Sequence, residues 1–147
     1  MVLTLVRPVG HQCRTVSFAS TLYLEPILED ILLEVPQLWQ PHLKLGLQEA
    51  LVNAVKHGNG LDPAKSIIVE YSVLANTYWW SITDEGNPPP NSAHQSCSLS
   101  DTIDHQAECG RGFYILRRLF DEVHWHLETN CLTLCKYIDE LQIPLIY

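Results

Sequence analysis

The stretch Gln48-Glu49-Ala50-Leu51-Val52-Asn53-Ala54-Val55-Lys56-His57-Gly58-Asn59 sets a carboxylate, a carboxamide and an imidazole four residues apart along an apolar helical pattern. Residues at that spacing stack one above another on a helix. Glu49, Asn53 and His57 therefore form a polar ribbon beside a stripe of Leu43, Leu47, Ala50, Leu51, Ala54 and Val55. The stripe calls for a core to bury it. The ribbon can hold a metal ion and take up a proton in one place, which is the chemistry of phosphoryl transfer. An ordinary polar helix face carries the same pattern.

The surrounding sequence supplies the rest of a fold. The helix is expected from about His42 to Lys56, and His57-Gly58-Asn59-Gly60 closes it with glycine available for a left-handed cap. Upstream, about Arg14 to Ala19 reads as a strand, and Leu24, Ile27, Leu28, Ile31, Leu32 and Val35 recur at helical spacing. Pro26 fits only the first turn of that helix. Pro36 and Pro41 mark a loop. Downstream, Ser66 to Val73 and Thr77 to Asp84 read as a hairpin around Ala75-Asn76. In its second strand Tyr78, Trp80, Ile82 and Asp84 share one face. That sets a carboxylate on the core-facing side, an odd place unless it has a partner. From Glu85 to Cys109 the chain turns polar and irregular, with Pro88-Pro89-Pro90. Regular structure is expected again at Gly110, with a short helix carrying Phe113, Leu116, Leu119 and Phe120. A closing hairpin follows, Glu122 to Leu127 and Cys131 to Ile138, around Glu128-Thr129-Asn130. The order β-α-α-β-β-loop-α-β-β predicts an α+β two-layer sandwich, a mostly antiparallel sheet with helices on one face.

Composition narrows the function classes. The 147 residues suit one domain with a core of its own. A net charge of −8 argues against nucleic acid as a partner, because a phosphate backbone demands a basic surface. It leaves room for a nucleotide, which needs only a few local donors. No run reaches the ~18 apolar residues of a membrane span, and the N-terminal stretch does not read as a signal peptide. The expected compartment is the cytoplasm. The five cysteines form no Cys-x-x-Cys pair, so reduced, mostly buried thiols are expected. His94, Cys97, His105 and Cys109 fit no standard zinc spacing. His124 and His126 read as solvated, and Trp79, Trp80 and Trp125 as core or sheet surface.

Two further constellations follow Glu49 and Asn53. Asp84-Glu85-Gly86-Asn87 ends a strand; a buried carboxylate there could accept the exocyclic amine of a base, with glycine allowing close approach. An Asp-x-Gly turn reads the same way. Gly110-Arg111-Gly112-Phe113 leads into a helix; its glycines free backbone N–H groups for an anion, and Arg111 could grip a terminal phosphate. A glycine-bearing loop end is the plain alternative.

Taken in order, Glu-Ala-Leu-Val-Asn-Ala-Val-Lys-His-Gly-Asn, Ile-Thr-Asp-Glu-Gly-Asn and Gly-Arg-Gly-Phe-Tyr-Ile-Leu-Arg-Arg-Leu-Phe-Asp-Glu-Val closely resemble the GHKL ATP-binding superfamily. Within it the chain is similar to the small anti-sigma-factor serine-protein kinases of bacterial partner-switching pathways, over about Val16 to Ile138. The resemblance implies a single histidine-kinase-like ATPase domain over 1–147 with the Bergerat fold, its core at about 16–138 and its lid at about 87–109. It implies ATP and Mg2+ as cofactors. Glu49 matches the catalytic base and Asn53 the magnesium ligand. Asp84 matches the residue that reads the adenine amine, with Gly86 beside it. Gly110, Arg111 and Gly112 match the phosphate-side box, Arg111 also offsetting charge on the transferring group. His57, at the helix end, is included on the nucleotide side. The implied partners are an anti-anti-sigma (STAS-domain) protein phosphorylated on serine and a sigma factor or other regulator, with a homodimer expected. A catalytically silent ATP-binding partner-switch module is the alternative. Pro88 departs from the family's adenine box, which carries a second glycine there.

Overall fold

The computed structural model describes residues 13–86, 108–139 and 141–144, with side chains from residue 112 onward in the second stretch. In chain order the elements are β1 (Arg14–Ala19), α1 (Glu25–Ile31), α2 (Gln40–Asn53), a widened helical turn (Ala54–Gly58), β2 (Ser66–Leu74), β3 (Thr77–Asp84), α3 (Glu108–Leu119), β4 (Glu122–His126) and β5 (Cys131–Tyr137). The strands form one antiparallel sheet in the order β1-β2-β3-β5-β4. This is the α+β order expected from the sequence.

Period-2 patterning sets the central strand. Tyr78, Trp80, Ile82 and Asp84 on β3 are all buried, and so are their inner-face neighbours Tyr71 and Val69 on β2 and Leu132 and Leu134 on β5. The helices close over this face. Trp80 is 1% exposed; its Nε1 donates to the Ile31 carbonyl at the end of α1 (2.9 Å), and its ring meets Phe120 beyond α3 edge-on at 5.8 Å. One indole thus ties the middle of the sheet to two helices, with its only polar atom satisfied. The predicted stripe of α2 is buried throughout: Leu43, Leu47, Ala50, Leu51, Ala54 and Val55. Each large side chain in that row contributes about 1.5–3 kcal/mol by leaving water. α2 and α3 run close together in opposite senses. At one end of the contact a Cβ on Gly46 would lie 2.5 Å from Phe120 Cε2; at the other, Gly112 lies against Glu49 and Asn53.

Several boundaries differ from the expectation. α2 begins at Gln40, so Pro41 belongs to its first turn instead of the preceding loop; proline there sacrifices no helical hydrogen bond. The regular helix ends at Asn53, and the next turn is of the i→i+5 type, Asn59 N–H donating to Ala54 O at 2.8 Å. α3 starts at Glu108, two residues before the expected point, so Gly110, Arg111 and Gly112 are helical. The left-handed residue after the helix is Gly60, φ +60°, followed by Leu61 in the same region. Among the cysteines with described side chains, Cys135 is buried, its thiol pushed up to about 12 chiefly by burial and then by nearby Glu122; Cys131 is half-buried and Cys13 exposed. Of the lid expected at about 87–109, residues 87–107, Cys97 among them, lie outside the described residues, and 108 and 109 open α3.

Candidate active site

Gly112 brings two of the sequence constellations together. A Cβ at that position would stand 2.8 Å from Asn53 Nδ2 and 3.5 Å from Glu49 Oε1. Only hydrogen occupies that space, so α3 can lie directly on the Glu49–Asn53 face of α2. The sequence pattern expected glycine here to free backbone N–H groups. Within α3 the Gly112 N–H instead falls among those bonded along the helix, since an α-helix leaves only the N–H groups of its opening turn without intrahelical partners. The glycine's contribution is close approach. The side chain of Arg111 lies outside the described residues.

Asp84 sits at the other end. It is 7% exposed, on the core face at the last position of β3. Its Oδ1 accepts the Gly86 N–H at 2.9 Å, the Asx-type turn that aspartate favours at a strand end. Burial raises the carboxyl above its ordinary range; the Gly86 N–H and the positive charge of Lys65 oppose that rise. Gly58, in the widened turn after α2, is pressed against this carboxylate: a Cβ there would overlap Oδ2 and Cγ of Asp84. A Cβ on Gly86 would overlap the Gly58 carbonyl. Glycine at both positions lets helix end, strand end and carboxylate share one small volume.

The Asp84–Gly86 turn is held from two further directions. Asn59 is 1% exposed; its Oδ1 accepts the Glu85 N–H at 2.8 Å and its Nδ2 donates to the Ser66 carbonyl at 3.1 Å. The Ser66 N–H in turn donates to Glu85 Oε2 at 2.6 Å. From the β4–β5 turn, the Asn130 carbonyl accepts the Asp84 N–H at 3.3 Å, and its Nδ2 donates to the Gly86 carbonyl.

The structure thus groups Glu49, Asn53 and Gly112 at one point and Asp84, Gly86 and Gly58 at another, joined by α2. Gly110 and Arg111 lie in the first turn of α3, N-terminal to Gly112. His57 is exposed in the widened turn, whose smaller angular step per residue takes it off the straight line through Glu49 and Asn53. Two residues that hold the site, Asn59 and Asn130, and the packing role of Gly58 have no periodic signature. Asn59 stood in the quoted stretch but read there only as a helix end. His124 and His126, half-exposed and exposed, stand apart on β4, His124 Nε2 lying 4.0 Å from Glu122.

A family model described as the histidine kinase-like ATPase domain matches residues 19–136, four-fifths of the chain. The chain belongs to that family. Relatives include the anti-sigma F factor of Anoxybacillus flavithermus, 25% identical over 123 residues that cover 84% of this chain and 78% of that protein. The serine-protein kinase RsbW of Bacillus licheniformis is 24% identical over 106 residues, 69% of this chain and 66% of that one. The GHKL resemblance and the α+β fold that it implied are thereby borne out. So is kinase-like ATPase character at the level of the family. All the elements described above except β1 and the last residue of β5 lie inside the matched span. Among the described residues no helix is long and apolar enough to cross a membrane.

Proposed function

We propose that this histidine kinase-like ATPase domain is an ATP-dependent serine-protein kinase of the anti-sigma type. It phosphorylates a serine on a small STAS-like antagonist and binds a sigma factor or other regulator in alternation with it. The observation that carries this reading is the packing of Gly112 on Glu49 and Asn53, with Asp84 buried at the far end of the same helix. Glu49 and Gly58 are separated by at most about 13 Å of helix at roughly 1.5 Å per residue, a length suited to an extended nucleoside triphosphate. In this assignment Asp84 accepts the adenine amine, and Gly86 leaves the base room to approach.

At the phosphate end Asn53 offers a hard oxygen of the kind magnesium takes. Among the described residues no three His, Cys, Asp or Glu side chains gather as a metal cage. Such an ion would be held by Asn53 together with the nucleotide's own oxygens, the usual mode for magnesium. Bound there, it would offset charge on the phosphate oxygens. Glu49, half-buried beside Asn53, takes the proton from the incoming serine hydroxyl. The serine oxygen forms its bond to the γ-phosphorus as the bond to the β-phosphate oxygen breaks, and ADP leaves. Arg111 and the N–H groups that open α3 stabilise the transferring group.

The test is transfer of radiolabelled phosphate from ATP to a purified STAS-domain antagonist. Glu49→Gln keeps the side chain's shape against Gly112 and removes the base. It is expected to lower transfer by ~10²-fold or more while ATP still binds. A wild type that transfers nothing, yet binds its partner differently with and without ATP, would make the protein a silent nucleotide-gated module.

A further inference from the structure

Asn130 does two things that no other described side chain does together. Its backbone lies in the left-handed region, φ 50° and ψ 39°, which among residues with a Cβ asparagine tolerates best. Its carboxamide reaches across the end of the sheet to the Gly86 carbonyl. The β3–β5 ladder has its last paired rung at Thr83 and Cys131. One step beyond, the Asn130 carbonyl still accepts the Asp84 N–H. Both peptide groups flanking the Asp84–Gly86 turn are thus anchored to one residue of the β4–β5 turn. Of the turn's other bonds, Gly86 N–H to Asp84 Oδ1 is internal to it, and Glu85 N–H to Asn59 Oδ1 holds its middle and leaves both flanking peptide groups to Asn130. Glycine at 130 would serve the backbone equally well, so the turn conformation alone gives no reason for a carboxamide.

We propose that Asn130 is a positioning residue for nucleotide recognition: by holding the Asp84 N–H and the Gly86 carbonyl it sets the direction in which the Asp84 carboxylate meets the base. This rests on the reading of the Asp84 end as the adenine pocket. Its role in this reading is exerted through Asp84 and the Gly86 peptide, the groups it holds. Its effect is therefore confined to ligands that carry a base, and it vanishes once the carboxylate is gone.

The test is calorimetric titration of the full chain with magnesium–ATP and, separately, with inorganic tripolyphosphate. Asn130→Gly keeps the left-handed backbone and deletes the carboxamide, so the fold is retained. It is expected to weaken ATP binding about 3- to 10-fold, the worth of one hydrogen bond, and to leave tripolyphosphate binding unchanged. Added to Asp84→Asn, it is expected to cause no further loss, since two residues acting through one contact are not additive. Asn130→Asp sets an oxygen against the Gly86 carbonyl and is expected to bind ATP more weakly than Asn130→Gly. Equal loss toward ATP and tripolyphosphate, additive loss in the double variant, or wild-type ATP affinity in either variant overturns the proposal and leaves the nucleotide site standing. A wild type that binds neither ligand overturns both.

Discussion

Gly112→Ala is expected to leave the fold nearly as stable as before and to cripple phosphotransfer. Gly112 lies inside α3, where alanine is favoured over glycine by about 1 kcal/mol. The new methyl group would meet Asn53 Nδ2 at 2.8 Å, about 0.6 Å inside ordinary contact, and Glu49 Oε1 and Cγ at 3.5 and 3.6 Å, which are acceptable. The conflict therefore falls on one carboxamide at the end of a half-buried side chain, which can swing aside. An off-rotamer adjustment of that kind costs about 0.5–1.5 kcal/mol. The two effects nearly cancel, and urea unfolding is expected to give a stability within about 1 kcal/mol of wild type. Catalysis has no such compensation. Displacing a ligand-holding group by ~1 Å costs ~10²-fold, so a 0.6 Å shift of Asn53 is expected to lower phosphotransfer by roughly 10- to 100-fold. The assay is radiolabel transfer at saturating ATP and magnesium, run beside the unfolding curve. A variant that transfers phosphate within threefold of wild type would refute the idea that Gly112 sets the position of Asn53. A stability loss above about 3 kcal/mol would refute the claim that Asn53 is free to yield.

Asp84→Asn is expected to raise stability at neutral pH while weakening ATP by ~10- to 100-fold, the loss of a hydrogen bond to a charged acceptor. Burial raises the Asp84 carboxyl above 3.8 in the folded chain, so the folded state holds the proton more tightly than the unfolded one and stability falls as pH climbs through that window. Urea midpoints at pH 7 and pH 4 check the sign: the variant's advantage must shrink at the lower pH, and an advantage that grows there would show the carboxylate to be stabilising. Asn59→Ala leaves the Ser66 carbonyl and the Glu85 N–H without their buried partner. It is expected to cost about 2–4 kcal/mol in the same unfolding assay, and a cost below ~1 kcal/mol would mean that water replaces the carboxamide.

Much of this protein was legible along the chain because its signals are local and periodic. Alternation in Tyr78-Trp79-Trp80-Ser81-Ile82-Thr83-Asp84 put a carboxylate on the buried face, and it is there. The apolar stripe expected on α2 is buried residue for residue, and the two hairpins turn about Ala75-Asn76 and Glu128-Thr129-Asn130 as expected. Glu49 and Asn53 share a face because a helix repeats every 3.6 residues, roughly. What the pattern could not carry was contact between elements distant in sequence. That Gly112 fits against Glu49 and Asn53, that Gly58 is small for the sake of Asp84, and that Asn130 reaches Gly86 all depend on how α3, the end of α2 and the β4–β5 turn meet at one end of the sheet. The widened turn at Ala54–Gly58 belongs to the same class, since it brings the Gly58 backbone onto Asp84 and takes His57 off the ribbon. Propensity and period fix which way a side chain faces along its own element; only packing at van der Waals distance decides which atoms it faces across the gap, and the candidate site is made of those gaps.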